Sequence, residues 1–176
     1  MRHIFFMVMS SMDLINEILS DWADQRPDIN CSGKRVVCSI LRSYDYVITA
    51  LEESLAPLDI TPNIFSVLVT IRRRGPNAEI TVKQTMEEVL VTSGAMSNLL
   101  NKLVDAELII KRKGTAKEDA RSTFIKLTEK GLSLIDKAMN IQAACERKLT
   151  RNLDKDERNQ LSRLLKKMFQ EEKFDV

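Results

Sequence analysis

The sequence is poor in the residues on which most enzymes and metal sites depend. It contains one histidine, His3, which lies next to the N-terminus. A Ser/His/acid catalytic set needs a histidine held by the fold, and no glycine-rich phosphate loop follows a strand-like segment. The numerous carboxylates alternate with lysines along helical faces, which is typical of a solvated surface. We therefore expect that the chain is not an enzyme and binds no metal or cofactor.

Cysteine is scarce as well. Cys31, Cys38 and Cys145 show neither the spacing of metal ligands nor the even pairing of a secreted disulfide framework. This usage is typical of a protein in a reducing cytoplasm. We interpret each cysteine as a small apolar residue of a helix. Cys31 and Cys38 are seven residues apart and could share one helical face, so redox sensing through Cys31 or Cys38 stays open as an alternative.

Long hydrophobic runs are missing too. The opening segment, residues 1–9, is apolar but far too short to span a bilayer, and no small-residue cleavage site follows it. We expect this segment to be a disordered or partner-packed tail, and Met12 is an alternative start. The chain is therefore predicted to be cytoplasmic, with no membrane partner.

The formal net charge of +2 is too small to indicate a nucleic-acid partner by itself. Positive charge is instead local in the sequence. It is carried by Lys102, Lys111, Arg112, Lys113, Lys117 and Arg121. These residues belong to residues 81–128, the stretch that says most about function.

Two short helices joined by a tight turn are predicted in the first half of this stretch. Thr81 with Gln84 three residues on is a capping-box start, and Thr92 is the next N-cap candidate. The helix after Thr92 buries an apolar stripe and leaves a face of small polar residues exposed. These are Ser93, Ser97, Asn98, Asn101 and Lys102. Such groups let a helix approach a duplex and bond base edges, whereas the alternative is an amphipathic helix that is merely polar outside.

Two extended runs follow, residues 109–113 and 122–127, and the second alternates apolar and polar side chains. Between them lies a long hairpin tip, GTAKEDAR, in which Glu118 and Asp119 are placed to fix Arg121. Helix, turn, helix and basic hairpin in this order predict a winged helix-turn-helix, with the hairpin tip near phosphates or the minor groove. The predicted fold class is mainly α with a small β-hairpin wing.

This stretch resembles the MarR family of winged-helix transcription regulators, whose motif ends in a wing Asp-x-Arg and a Leu-Thr-x-x-Gly. The resemblance rests on TSGAMSNLLNKLVDAELI, KRK, DAR and IKLTEKG in that order. It implies that Arg121 reaches the minor groove and that Asp119 orients it. The predicted DNA-binding residues are Ser93, Ser97, Asn98, Lys102, Lys113, Lys117, Asp119 and Arg121.

One position departs from the family. Glu107 stands where the family usually has glycine, between the second helix and the wing. Glutamate tolerates the left-handed backbone conformation poorly. We therefore expect a strained or differently wound junction.

The N-terminal segment, residues 11–25, is helical by the spacing of its apolar residues, and Pro27 ends it. Its string DWADQRPDI resembles the N-terminal extension of the urate-responsive subgroup of the family, in which a tryptophan helps to close a ligand pocket. Trp22 matches that tryptophan. The alternative is that Trp22 only packs the first helix onto its neighbours.

The other pocket positions differ from that subgroup. Ser66 follows Phe65 where the subgroup has an aspartate, and Leu99 and Lys111 replace arginines. Losing a carboxylate and a guanidinium removes most charge-assisted bonds to a purine acid, which argues against urate but not against another small molecule. We expect a small anionic or aromatic effector near Trp22, Tyr44, Phe65, Ser66 and Lys111.

Long amphipathic helices surround the winged unit in the sequence, and one winged core cannot bury all their apolar stripes. We expect them to form a homodimer, which would place two copies of the DNA-reading helix on a pseudo-palindromic operator in double-stranded DNA. The predicted parts are an extension (residues 1–30), a helix for dimer and pocket (31–60), the DNA-binding domain (61–128) and C-terminal dimerisation helices (129–176).

The hypothesis from the sequence is a ligand-responsive repressor that binds DNA as a homodimer. Two alternatives stay open. One is a redox-sensing regulator, and the other is a winged-helix protein-interaction module that does not bind DNA.

Overall fold

The computed structural model describes residues 2–89, 92–116 and 118–169, and the side chains of residues 2–13 are not part of that description. Seven α-helices and three strands lie within the described residues. In chain order they are α1 (Arg2–Gln25), α2 (Lys34–Leu55), α3 (Pro62–Arg72), β1 (Glu79–Thr81), α4 (Val82–Glu88), α5 (Ser93–Asp105), β2 (Ile109–Lys113), β3 (Thr123–Leu127), α6 (Glu129–Leu149) and α7 (Lys155–Met168). The predicted fold class is confirmed.

Threonine side chains begin four of these helices, because their hydroxyl oxygens accept backbone N–H groups that lack a partner within the first turn. Thr61 begins α3, with Pro62 at the first helical position. Thr81 and Gln84 form the predicted capping box of α4, with both of its hydrogen bonds present. Thr92 caps α5 and Thr128 caps α6. The capping residues predicted for this part of the chain are therefore confirmed.

The sheet has one strand more than predicted. Its order is β1, β3, β2, with both pairings antiparallel. In the register, Ile125 of β3 lies between Ile80 of β1 and Lys111 of β2. The prediction of a two-stranded hairpin is thus incomplete. The strand β1 spans only Glu79–Thr81, which is too short for an alternating pattern to be recognised in the sequence.

The hydrophobic core lies between α3, α5, the sheet and α6. Leu68, Leu103, Ile125 and Ile135 are almost completely buried in it. The stripe predicted for α5 is confirmed, because Met96, Leu100 and Leu103 are buried while Leu99 and Val104 pack against the core from its edge. This packing holds α5 rigidly and turns its polar face outward.

The remaining helices form a less buried part of the chain. The helix α1 begins at Arg2 rather than at residue 11, so the expected tail is helical from Arg2 onward. It packs on α2, and α2 packs on α6. No residue of α7 is buried.

No single helix in the described part of the chain is long and apolar enough to cross a membrane. Only the bent pair Lys34–Leu58 and Pro62–Arg72, at 76°, reaches the required length and composition. Phe65, Val67, Leu68 and Ile71 of α3 in that pair belong to the hydrophobic core.

Candidate nucleic-acid interface

The outward face of α5 is polar along its whole length. Ser93, Ser97, Asn98 and Lys102 are exposed, as predicted for residues that approach DNA. The Thr92 hydroxyl oxygen accepts the Ala95 N–H, and residues 92–95 are exposed. The remaining N–H groups and the dipole of a helix N-terminus favour a phosphate. Whether these side chains contact DNA stays a prediction.

A groove of about 750 Å³ lies between α5 and the wing, and Val82, Lys83, Met86 and Glu87 of α4 line its third side. Ser97 and Asn101 of α5, Lys111 of β2, and Asp119 and Arg121 of the wing all line it. The structure therefore brings the predicted wing pair and one predicted helix residue to the same surface. Asn98 and Lys102 do not line this groove, because each lies one position, about 100°, further round the helix than Ser97 and Asn101.

One contact joins the two sides of the groove. The Lys111 ammonium nitrogen donates to Oδ1 of Asn101 at 2.8 Å. The sequence predicted Lys111 as an effector-pocket residue and did not include Asn101 among the DNA-binding residues. The structure places both in the groove between α5 and the wing. Because the contact spans α5 and β2, only the fold could reveal it.

The wing tip is shaped by Asp119. One of its carboxylate oxygens accepts the backbone N–H of Arg121 at 3.0 Å, and the other accepts the Ser122 hydroxyl at 3.1 Å. Asp119 thus fixes the backbone that carries Arg121, whose side chain is exposed. Gly114 is required opposite it, since a Cβ there would stand 2.2 Å from the Asp119 carbonyl oxygen. Lys117, a predicted DNA-binding residue, lies outside the described residues.

Glu118 does not hold Arg121, and the prediction that it does is wrong. Its carboxylate instead accepts the Arg112 guanidinium at 2.9 and 3.1 Å. It also accepts the N–H and the hydroxyl of Thr115, each at 3.0 Å. The pairing of β2 with β3 brings Arg112 to the base of the wing, where it meets Glu118 first.

Arg112 is also bound on its other side. It donates to Glu79 of β1 at 2.5 and 3.0 Å and lies 4.4 Å from the centroid of the Phe124 ring. We call Glu79, Arg112, Glu118 and Phe124 the wing brace. The Arg112 guanidinium lowers the pKa of Glu118 to about 2, with help from the Thr115 N–H, and also lowers the pKa of Glu79. Since two carboxylates neutralise it, Arg112 adds little to the positive charge offered to a phosphate.

The junction after α5 has the strained backbone that was expected. Glu107 has a φ of 59°, in the left-handed region. Its carbonyl oxygen accepts the Thr128 hydroxyl at 2.7 Å, and the Leu108 carbonyl accepts the Thr128 N–H at 3.1 Å. Gly131 lies so close that a Cβ would stand 2.0 Å from the Leu108 oxygen. The end of α5 and the start of α6 are therefore in direct contact.

The predicted effector residues lie on different surfaces of the single chain. Trp22 lines a hollow of about 230 Å³ on α1, and the Lys34 ammonium lies 4.9 Å from its ring centroid. Tyr44 is exposed on α2, Phe65 is buried in the core, and the Ser66 hydroxyl donates to the Pro62 carbonyl. Lys111 lines the groove between α5 and the wing. A pocket that unites these residues stays a prediction.

All three cysteines are free and partly buried. The Cys145 thiol lies 3.5 Å from the Ala50 carbonyl oxygen, which agrees with its interpretation as a packed helical residue. The roles of Cys31 and Cys38 in oxidation stay untested.

The chain is similar to known transcription regulators that have a winged helix domain. The profile of a winged helix DNA-binding domain family matches residues 61–131. The HTH-type transcriptional regulator PecS of Dickeya dadantii is 24% identical over 151 residues, which are 86% of this chain and 90% of PecS. The multiple antibiotic resistance protein MarR of Escherichia coli is 31% identical over 119 residues, which are 67% of this chain and 79% of MarR.

A solved structure adds the geometry of a DNA complex. The crystal structure of a mutant MarR from Escherichia coli with operator DNA superposes with a TM-score of 0.68 and 28% sequence identity. The match covers 85% of this chain and 98% of that one. The similarity therefore extends beyond the winged domain into the long helices on either side.

Proposed function

The chain belongs to the MarR family of winged-helix transcription regulators, and we propose that it represses transcription by binding a pseudo-palindromic operator as a homodimer until a small effector releases it. A regulator of this type binds DNA. The proposal concerns how this chain reads its operator, how two copies are arranged and what ends the repression. The cytoplasmic setting predicted from cysteine usage is part of the same proposal.

The observation that carries the proposal is the composition of the groove between α5 and the wing. Small polar side chains of α5 face a wing whose Asp119 holds the backbone of an exposed arginine, Arg121. An α-helix fits the major groove, and an adjacent cation is favoured in the minor groove. The wing brace supports this function because it fixes the wing relative to the sheet before DNA arrives.

Exposed apolar side chains on the long helices support the homodimer. Val36, Val37 and Leu41 of α2 and Leu161 and Leu164 of α7 are each about half exposed, between 46% and 62%. A monomer rarely leaves several such residues open to water. A second copy would cover them under twofold symmetry and present two α5 helices to successive major grooves. The predicted division of the chain into extension, dimer helix, DNA-binding domain and C-terminal helices follows from this arrangement.

The effector would act through the dimer. A ligand changes DNA affinity only if it prefers a dimer geometry in which the two copies of α5 no longer fit successive grooves. Trp22 and the neighbouring Lys34 combine an aromatic surface with a cation, which suits a small anionic or aromatic molecule.

The full-length chain, incubated with a randomised duplex library, tests the central proposal. We expect an enriched sequence of two inverted half-sites, bound with a Kd of about 10⁻⁸ M or tighter. Light scattering during size-exclusion chromatography should give the mass of a dimer. Binding without any sequence preference would contradict the proposal, and absence of DNA binding would favour the protein-interaction alternative.

The effector response has its own test, because Trp22 is the one tryptophan of the chain and therefore an intrinsic fluorescence reporter. Benzoate, a minimal anionic aromatic probe, should quench Trp22 and lower the affinity for the selected duplex in parallel. Lys34→Met should weaken both effects, since it removes the cation beside the ring. Release of DNA by mild peroxide but not by benzoate, lost in Cys31→Ser or Cys38→Ser, would support the redox alternative instead.

A further inference from the structure

We infer that Lys111 and Asn101 act as one unit that presents mainly hydrogen-bond donors to the major groove and so selects guanine at one base pair of each half-site. The inference rests on the proposed function and deepens it. It makes Asn101 a residue that reads a base and Lys111 the positioning residue that fixes what Asn101 can read.

The orientation of the Asn101 amide follows from the chemistry of its neighbour. An amide oxygen and an amide nitrogen are hard to distinguish by shape alone. An ammonium group, however, carries three donors and no acceptor, so the atom 2.8 Å from the Lys111 nitrogen must be the amide oxygen. The NH₂ group of Asn101 is therefore directed away from Lys111.

Asn101 lies on the part of α5 that faces the wing. Residues four apart share one face of a helix, so Ser93, Ser97 and Asn101 form a single row. Ser97 and Asn101 of this row line the groove together with Lys111 and Arg121. A duplex in that groove would meet the Asn101 NH₂ and the Lys111 ammonium side by side.

This pair differs from an unpaired asparagine in what it can recognise. An unpaired asparagine binds adenine through two bonds, one of which needs the amide oxygen as acceptor for the adenine N6 amino group. Here one lone pair of that oxygen already accepts from the Lys111 ammonium, and the positive charge beside it disfavours a second donor such as the adenine N6 amino group. The NH₂ and the remaining ammonium hydrogens are all donors. Guanine offers two acceptors, N7 and O6, on its major-groove edge. The pair is therefore complementary to guanine rather than to adenine.

Phosphate oxygens are acceptors too, and the two targets differ in a measurable way. A contact to phosphate carries no sequence information and changes the salt dependence of binding. A contact to a base edge changes which base is selected. The experiment must therefore record base preference and salt dependence for the same variants.

The test is selection from a randomised duplex library with the full-length chain, Lys111→Met and Lys113→Met. Lys113 is a matched control, because it lies on the same side of β2 and its ammonium donates to Thr123 at 3.2 Å instead of to α5. The wild type should enrich guanine at one position of each half-site. Lys111→Met should admit adenine there, with a change in the guanine-to-adenine ratio of about fivefold or more.

Lys113→Met should leave that ratio unchanged while lowering affinity, since it loses the same charge without releasing Asn101. Lys111→Arg should keep the guanine preference, because a guanidinium also has only donors. If Lys111→Met fails to fold, as judged by circular dichroism, Asn101→Asp replaces it. That substitution keeps the partner of Lys111 but removes the NH₂ donors, so the guanine preference should be lost.

The outcomes separate the inference from the proposed function. A wild type that selects a palindrome unaltered by Lys111→Met, or by Asn101→Asp, overturns the inference alone. Equal loss of base preference in Lys111→Met and Lys113→Met also overturns it, because the effect would then be one of charge. A wild type that selects no sequence overturns both.

Discussion

The DNA-reading unit and the long helices around it differ in how much of their apolar surface is buried within one chain. Residues 61–128 contribute most of the hydrophobic core, although Ile110 is 55% exposed, and the wing is tied to the sheet through Arg112. In α2 and α7 several apolar side chains are exposed, among them Val36, Leu41, Leu161 and Leu164, and no residue of α7 is buried. The first region therefore packs largely within one chain, whereas the second exposes apolar faces that the proposed homodimer would cover. Recognition and assembly are therefore separate physical tasks in this chain.

The largest expected effect is a loss of stability when a side chain of the hydrophobic core is shortened. Leu103→Ala should lower the free energy of unfolding by about 2–5 kcal/mol, because the side chain is 1% exposed and its removal leaves a cavity. Leu164→Ala, at a leucine that is 51% exposed, is the matched control. Its effect should depend on protein concentration, as expected for a dimer contact. Urea unfolding at several concentrations would show this, and equal, concentration-independent losses would remove the distinction between the regions.

A second change tests whether assembly can fail while recognition survives. Leu161→Asp together with Leu164→Asp would place charges on the apolar face of α7 and should leave the chain folded but monomeric. Affinity for the selected full operator should fall by about a hundredfold or more, since the second half-site contact is no longer intramolecular. Affinity for a single half-site should stay as it was. Loss of half-site binding to the same extent would mean that the two tasks are not separate.

Within the wing, two arginines should give opposite signatures. Arg121→Ala should weaken binding and reduce the salt dependence by about one unit of slope, as expected when a DNA contact is lost. Arg112→Met should weaken binding without changing the slope, because Glu79 and Glu118 already neutralise Arg112. Fluorescence anisotropy over a salt series measures both. A reduced slope for Arg112→Met would mean that the wing brace opens to release a cation to DNA.

The same brace predicts a pH window. The pKa of Glu118 is lowered from 4.5 to about 2 by Arg112. Its contribution to the folded wing is therefore fully present above pH 4.5 and is lost as the pH falls towards 2. NMR titration of the Glu118 carboxyl should show this shift, and Arg112→Met should remove most of it, leaving the smaller part that the Thr115 hydrogen bonds cause.

The smallest effect concerns the junction between the two regions. Glu107→Gly should raise the free energy of unfolding by about 0.5–1 kcal/mol, because glycine adopts the left-handed conformation without strain. The exposed ion pair of Glu107 with Lys130 at 3.7 Å contributes little against this. Asp105→Gly, within α5, should have the opposite sign. Thermal unfolding of the two variants measures both changes in stability. A lower stability of Glu107→Gly would contradict the proposal that the backbone at Glu107 is strained.

Local sequence signals predicted much of this structure. The capping residues Thr81, Thr92 and Thr128 and the buried stripe of α5 could be found because each depends on neighbours within a few residues. The strand β1 could not be found in this way, because three residues are too few to show an alternating pattern of apolar and polar side chains. The partners of Glu118 and Asn101 were missed for another reason. Each is a lysine or arginine of β2, and which of several nearby cations a side chain meets depends on strand register, which the sequence does not state.

The contact between Gly131 and the Leu108 carbonyl has a consequence for signalling. With Thr128 bonded to both residues of the junction, and the Lys130 ammonium donating to the Ala106 carbonyl at 2.8 Å, the first turn of α6 is fastened to the last turn of α5. We therefore expect α5 and α6 to rotate together as one rigid unit. In the proposed homodimer, a small change in the angle between the two copies of α6 would therefore rotate both copies of α5. Because α5 lies at a distance from the axis of that rotation, the spacing between its two copies would change by a larger amount.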